Sequence, residues 1–440
     1  MKYSQFNSIV PHEGKYALYN SFQNKVIFLD PELKDLLQAG ISEGIDGLEE
    51  VHPSFFEYLT DNKFIVKNEL NEIDEIKKIS KAVDENQKNY ILTINPTMNC
   101  NFKCYYCYET HIRKSRLEDK EIEKIKKFID TTASREKLES FTLSFFGGEP
   151  LLYFERNVIP VIDHFTARCK ENKKTFNIGF TTNGYLINQN FVDYFKNNNI
   201  ECALQITLDG YREEHDKVRY VSKTKGSYFE IINNVKLLVN NNFYVVLRIN
   251  YTDENLPNTN KIPQDFSDIS QEIKDKYLRF DFHRVWENNK VDDLHLVLEK
   301  NISEIRDEGF VANGTYSPDN VNDSCYADKR NSVVINYNGD IFKCTARDFE
   351  TKNRAGFISD NGDLIWENDY LEKRMNAKFN NKPCLSCKIM PLCNGGCTQH
   401  AMEHIESGTD YCVYHGLESE KDIIVKTKIQ DILNEVLQEA

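Results

Sequence analysis

Ten of the twelve cysteines in this chain fall into two tight groups. Cys100, Cys104 and Cys107 form a C-x3-C-x2-C run, and Cys325, Cys344, Cys384, Cys387, Cys393, Cys397 and Cys412 crowd the C-terminal quarter. No other feature constrains the fold as much, because thiolates at such spacings hold metal or iron–sulfur groups and their loops fold around those groups. Three thiolates at the first spacing can hold three irons of a [4Fe–4S] cube and leave the fourth open to a ligand that is not protein. The C-terminal set is enough for two more clusters. A structural zinc site usually takes four protein ligands, yet no fourth cysteine lies near the first run and His111 is the closest histidine. Cys169 and Cys202 sit singly and read as small buried hydrophobes. The pattern points to one-electron chemistry.

At 440 residues the chain exceeds what one compact domain usually holds, and 40% apolar residues suffice for real cores. A net charge of −14 with no basic stripe argues against phosphate-backbone binding, so no nucleic-acid partner is expected. The N-terminus lacks an apolar signal region, and no apolar run approaches the ~18 residues of a membrane span. The expected location is the cytoplasm, where patterned cysteines read as ligands rather than disulfides.

Three regions follow from the patterning. Residues 1–85 read as a small domain: short β-rich runs at Lys15–Asn20 and Lys25–Leu29, a helix started by Asp30-Pro31 and ended by Gly40, a second helix around Phe55–Leu59, and a strand at Phe64–Val66. This order suggests a winged-helix-like fold, with Asn71–Gln87 as a helical linker. Residues 86–315 alternate strands with helices. Tyr90–Asn95, Phe141–Phe146, Phe176–Thr181, Ala203–Leu208, Tyr244–Asn250 and Tyr277–Val285 are six predicted strands of a parallel α/β sheet. Residues 316–440 are loop-rich, with a hairpin over Ser332–Cys344 turning at Asn338-Gly339 and a closing helix over Glu418–Glu439.

Cys100–Cys107 and Phe146-Gly147-Gly148-Glu149-Pro150 resemble the radical S-adenosylmethionine (SAM) superfamily, and the C-terminal cysteines resemble its SPASM subfamily. The resemblance implies a partial (β/α)6 barrel with its ligands at the C-terminal strand ends, flanked by the winged-helix-like domain and a loop-rich iron–sulfur (SPASM) domain. It implies SAM and three [4Fe–4S] clusters as cofactors. Cys100, Cys104 and Cys107 would hold the SAM cluster, whose open iron chelates the amino and carboxylate groups of SAM and whose electron yields a 5′-deoxyadenosyl radical. Cys325, Cys344 and Cys397 would supply auxiliary cluster I, and Cys384, Cys387, Cys393 and Cys412 auxiliary cluster II. Some relatives carry a fourth cysteine just before the first; Val321–Ser324 offers none, which implies an open iron or another ligand. By the same resemblance Tyr106 contacts adenine, Gly147 and Gly148 admit SAM, Glu149 lies near its amino group and Asn183 near its ribose. Thr207 and Arg219, from Thr207-Leu208-Asp209-Gly210 and His215-Asp216-x-x-Arg219, face SAM; a loop salt bridge between Arg219 and Asp209 is the alternative.

Such enzymes mostly modify peptides. Residues 1–85 resemble domains that capture the leader of a ribosomally made precursor peptide. The expected function is cross-linking of that peptide, first as a cysteine thioether and next as a carbon–carbon or cyclophane link, with an external one-electron reductant. The alternatives are sulfatase maturation by formylglycine formation and a non-catalytic peptide-binding or electron-transfer protein. In the sulfatase class an Asp follows the Gly-x4-Cys cysteine; here Thr345 follows Cys344 and Asp348 lies further on. The catalytic base is not identified. His283, Arg284 and Trp286 follow the sixth strand, where rim packing is the plainer role.

Overall fold

The computed structural model describes residues 1–222, 224–285, 294–314 and 320–439. The chain divides into two compact units. One comprises Met1–Asn86, Ser317–Arg330 and Asp369–Ala440; the other comprises Gln87–Tyr316 and Asn331–Asn368.

In the first unit, strands β1 (Lys2–Tyr3), β2 (Asn7–His12), β3 (Lys15–Asn20), β4 (Lys25–Leu29) and β5 (Ile65–Val66) form two antiparallel sheets, β2-β3-β4 and β1-β5. β2 has no counterpart among the predicted strands. It contains Pro11, which a sheet tolerates on an edge strand such as this one. The first helix runs Pro31–Glu43, straight through Gly40, and stops at Gly44 with φ 128°. A helical glycine costs only about 1 kcal/mol, so the positive-φ position, not Gly40, sets the end. The three-stranded sheet is covered on both faces. Leu18 and Leu29 pack with Leu37, Leu48, Phe55 and Leu59. Phe6, Val10, Ala17 and Tyr19 share a core with Ile76, Phe379, Cys384, Cys387, Val425 and Ile429. The N-terminal residues and the C-terminal cysteine-rich segment therefore fold around one common core.

The second unit is built on one large sheet. β6 (Asn89–Asn95), β7 (Ser140–Phe145), β8 (Thr175–Thr182), β9 (Cys202–Leu208), β12 (Tyr244–Tyr251) and β13 (Leu278–Arg284) lie side by side in that order and are parallel. A small hairpin, β10 (Tyr220–Ser222) with β11 (Lys225–Gly226), projects between β9 and β12 in sequence, and β14 (Val311–Asn313) extends the β13 edge. At the other edge β15 (Ser332–Asn336) pairs parallel to β6, followed by antiparallel β16 (Asp340–Phe342), β17 (Gly356–Ile358) and β18 (Leu364–Trp366). The segment 331–368, read from sequence as part of a C-terminal region, thus satisfies the open hydrogen-bonding edge of the main sheet. Its hairpin turns over three residues, Tyr337 to Gly339, with Gly339 at φ 85°.

Alternation along each strand separates two faces. Leu92, Ile94, Leu143, Phe145, Phe180, Leu204, Ile206, Leu247, Ile249, Phe280 and Phe282 join one core with the intervening helices. Each fully buried side chain of this size contributes roughly 1.5–3 kcal/mol. The opposite face carries Thr93, Asn95, Ser144, Gln205, Thr207, Arg248, Asn250, Asp281 and His283. Among the described residues no helix is long and apolar enough to cross a membrane.

Candidate active site

The first cysteine run lies in the loop that leaves β6. Its base is closed by Leu117 N donating to Pro96 O (2.8 Å) and Met98 N to Ser115 Oγ (2.9 Å). Its middle is tied to the turn after β7: Gly148 N donates to Glu109 Oε2 (2.9 Å) and Glu149 N to Asn99 O (2.9 Å). Gly147 and Gly148 have φ 77° and 45°. A Cβ on Gly148 would stand 2.3 Å from Asn99 O, and one on Gly147 2.7 Å from Asn95 Cβ. Glycine is required here because the turn lies against the cysteine loop itself.

Glu149 is fully buried and holds the next strand end. Oε1 accepts from Thr182 Oγ1 (2.7 Å) and Leu151 N (3.0 Å), and Oε2 from Asn183 N (2.9 Å). Burial raises its pKa against the pull of these donors. The Asn183 side chain donates to Asn101 Oδ1 (2.8 Å) and lies 4.0 Å from Cys100 Sγ. Gly147, Gly148, Glu149 and Asn183 thus converge on the cysteine loop and brace it.

Tyr106 reaches the other side of the sheet end. Its hydroxyl donates to Asp209 Oδ1 and accepts from Arg219 Nη2 (2.8 Å) and Asn250 Nδ2 (3.0 Å). Arg219 Nε donates to Asp209 Oδ2, so the salt bridge weighed as an alternative is present and largely buried. His215 positions Asp209: its Nδ1 accepts from Asp209 N (3.1 Å) and its Nε2 meets Ser227 Oγ (3.0 Å). Complete burial pushes the His215 pKa down to about 3, so the imidazole is neutral. Asp216 instead caps the helix Tyr228–Val239, accepting from Ser227 N and Tyr228 N. Thr207 sits buried at the end of β9 on the polar face, in register with Arg248.

The thiols fit a metal group. Burial pushes Cys100 up to about 12 and Cys107 to about 11, and raises Cys104, with Glu149 adding to the shift at Cys100. Closely set buried thiols that are costly to ionise alone become ligands when a cation supplies the missing charge. Glu109 Oε1 is buried without a partner, and its carboxyl pKa is raised by burial to about 7. Cys107, Glu109 and His111 place ligand atoms within 4.8 Å of one another, with His111 Nε2 3.5 Å from Cys107 Sγ. His111 is therefore nearer the run than its sequence position suggested.

In the first unit Cys384, Cys387, Cys393 and Cys412 line one narrow cavity together with Met390 and Tyr414. Burial pushes Cys384 to about 11 and Cys393 to about 12, again with neighbouring thiols adding to the shift. Four thiols facing one space form a donor set that a cubane group takes. Cys325 and Cys397 are exposed residues of the same unit, while Cys344 follows β16 in the other.

Sequence reasoning did not single out Arg248, Asn250 or Asp281. They occupy alternate positions of β12 and β13 on the polar face. Arg248 Nε donates to Asn250 Oδ1 (2.9 Å) and His283 Nε2 lies 2.8 Å from Asp281 Oδ2. The signal was the alternation of Arg248 and Asn250 with Leu247 and Ile249, and of Asp281 and His283 with Phe280 and Phe282. Trp286 lies outside the described residues.

A strand-end loop with three thiols, clamped by a Gly-Gly-Glu-Pro turn on a parallel sheet, coincides with a family model: residues 94–257 match the Radical SAM superfamily. These residues form a radical SAM domain. Among relatives, a cysteine-type anaerobic sulfatase-maturating enzyme of Clostridium novyi is 34% identical over 161 residues, 34% of this chain and 41% of that protein. The chain thus matches less than half the length of that relative. The radical SAM cyclopropyl synthase TigE of Paramaledivibacter caminithermalis is 22% identical over 89% of this chain and 88% of its own. Among solved structures, Streptococcus suis SuiB bound to precursor peptide SuiA superposes with a TM-score of 0.51 at 19% identity, covering 93% of this chain and 97% of SuiB. The radical SAM domain therefore carries the α/β fold of this superfamily.

Proposed function

We propose that this protein is a radical SAM maturase that forms an intramolecular bond in a ribosomally made precursor peptide. The observation that carries the reading is the cavity lined by Cys384, Cys387, Cys393 and Cys412, in a unit whose core is shared with the N-terminal sheet. A chain that builds a second thiol site there, in addition to the loop of Cys100, Cys104 and Cys107, is equipped for electron transfer beyond a single cluster. Similarity to SuiB and TigE over about nine-tenths of the chain includes this unit, whereas the sulfatase-maturating relative matches about a third.

Each residue has a part in this reading. Cys100, Cys104 and Cys107 hold the cluster that, with SAM, supplies hydrogen-atom abstraction from carbon. Gly148, Glu149 and Asn183 fix the loop. Tyr106, Asp209, Arg219 and Asn250 make a rigid polar wall beside it, and the apolar face seals the site from the helices. Cys384, Cys387, Cys393 and Cys412 hold auxiliary cluster II, and the sequence pattern assigns Cys325, Cys344 and Cys397 to auxiliary cluster I, three clusters in all. The reductant is an external one-electron donor. The winged-helix-like N-terminal region takes the leader as an added strand on the outer edge of β4, where Lys25 and Phe28 are exposed. A thioether is the first product, because auxiliary cluster I lacks a fourth cysteine.

Two features bear on the alternatives. The relationship to TigE, a cyclopropyl synthase, supports a carbon–carbon product. The sulfatase reading is weakened at Asp348, whose carboxylate accepts from Thr110 N (2.9 Å) and Thr110 Oγ1 (2.6 Å). The test is mass spectrometry of the cognate peptide after anaerobic reaction with SAM and reductant. Loss of two hydrogens with one fewer alkylatable thiol establishes a thioether. The same loss with all thiols free establishes a carbon–carbon bond. Formylglycine in a leaderless Cys-x-Pro-x-Arg peptide overturns the reading.

A further inference from the structure

Arg248 stands apart among the charged groups of the polar face. It sits on β12 between Thr207 of β9 and Asp281 of β13. Its Nε donates to Asn250 Oδ1, but among the described residues Nη1 and Nη2 have no hydrogen-bond partner. It is half-buried, and desolvation is the largest influence on it, lowering its pKa. The nearby carboxylates are otherwise engaged: Asp281 with His283, Asp209 with Arg219 and Tyr106. A partly desolvated guanidinium presenting two free nitrogens is a fork for a planar carboxylate.

We infer that Arg248 is the binding residue for an acidic side chain of the peptide substrate. The inference rests on the peptide-modifying reading and adds the substrate's chemical class. Two sources could supply a carboxylate, an Asp or Glu of the peptide and the methionine end of SAM. Position favours the peptide. The cysteine loop belongs to the C-terminal strand ends, and Asn250 is the β12 residue that touches it, through Tyr106. The Arg248 backbone lies two residues back along the strand, roughly 6–7 Å deeper on the polar face, and its guanidinium spans from Asn250 towards Asp281, with Tyr106 and Tyr108 also in electrostatic reach. The sequence resemblance gives Arg219, which is held by Asp209 and Tyr106, to SAM, and that leaves Arg248 for a carboxylate of the peptide. Asp281 and His283, on the adjacent strand, line the same place and give it hydrogen-bonding groups besides the cation.

The experiment uses full-length reconstituted enzyme with SAM. Two pools of synthetic decapeptides, one with a fixed central Glu and one with Gln there, are captured and counted by mass spectrometry. SAM affinity is measured separately by equilibrium dialysis. Wild-type protein should enrich the Glu pool about tenfold over the Gln pool, the size of a charge-assisted hydrogen bond. Arg248→Gln should abolish that preference and leave SAM affinity unchanged, and Arg248→Lys should keep part of it. Equal capture of both pools by the wild type overturns the inference and leaves the peptide reading standing. Capture of neither pool overturns the peptide reading and the inference with it. Loss of SAM affinity in Arg248→Gln, with peptide preference intact, assigns the guanidinium to SAM and overturns the inference alone.

Discussion

Gly148→Ala tests the clamp between the Gly-Gly-Glu-Pro turn and the cysteine loop. Gly148 has φ 45°, and an added Cβ would lie 2.3 Å from Asn99 O, a backbone atom that no rotamer change can move. The left-handed backbone alone costs an L-residue roughly 1–2 kcal/mol. Relieving the contact shifts the turn away from the loop and weakens two hydrogen bonds, Gly148 N to Glu109 and Glu149 N to Asn99 O, each worth about 1 kcal/mol. The expected destabilisation is therefore about 3–4 kcal/mol. Gly408→Ala is the internal control: its φ is 70° and a Cβ there meets nothing within 4 Å, so it carries only the backbone term. Urea unfolding of both metal-free variants measures the difference, and iron content after reconstitution measures the consequence for the loop. Gly148→Ala should unfold earlier than Gly408→Ala and lose iron at the first cysteine run. Equal midpoints with wild-type iron content would refute the clamp.

Three further outcomes follow from the geometry. Glu109 has its folded pKa raised from 4.5 to about 7, so between those values the folded state holds a proton that the unfolded state has released. Its contribution to stability is thus lost as pH rises through this window, and Glu109→Gln should flatten the pH dependence of urea midpoints there. Joint replacement of Cys100, Cys104 and Cys107 by Ala should remove SAM cleavage yet leave iron at the C-terminal thiols. Replacement of Cys384, Cys387, Cys393 and Cys412 should do the reverse, as read by iron analysis and electron paramagnetic resonance. Asp209→Asn removes one charge from a buried pair with Arg219, a change that costs about 3–5 kcal/mol when one partner is lost outright. It should weaken SAM binding through Tyr106, measured by dialysis, while Asp216→Asn, which disturbs only the cap of Tyr228–Val239, should not.

The order of strands and helices from Tyr90 onward was legible in the sequence because each strand has one continuously apolar face, and helical segments with apolar spacing alternate with the strands. The six predicted strands match β6, β7, β8, β9, β12 and β13 to within a residue or two. The cysteine groups were legible because a metal ligand leaves a mark in spacing. What the sequence determined, then, was local periodicity, turn chemistry and donor sets. It could not show that 331–368 completes the edge of the main sheet, since any short β-run can pair with any open edge. Nor could it show that β2 and β3 share a core with Cys384 and Val425, because a strand buried on both faces loses its alternation. The pairing of Arg219 with Asp209 and the unmatched guanidinium of Arg248 were likewise decided by tertiary structure. Burial and partnership are sums over residues far apart in the chain, and only folding brings those terms together.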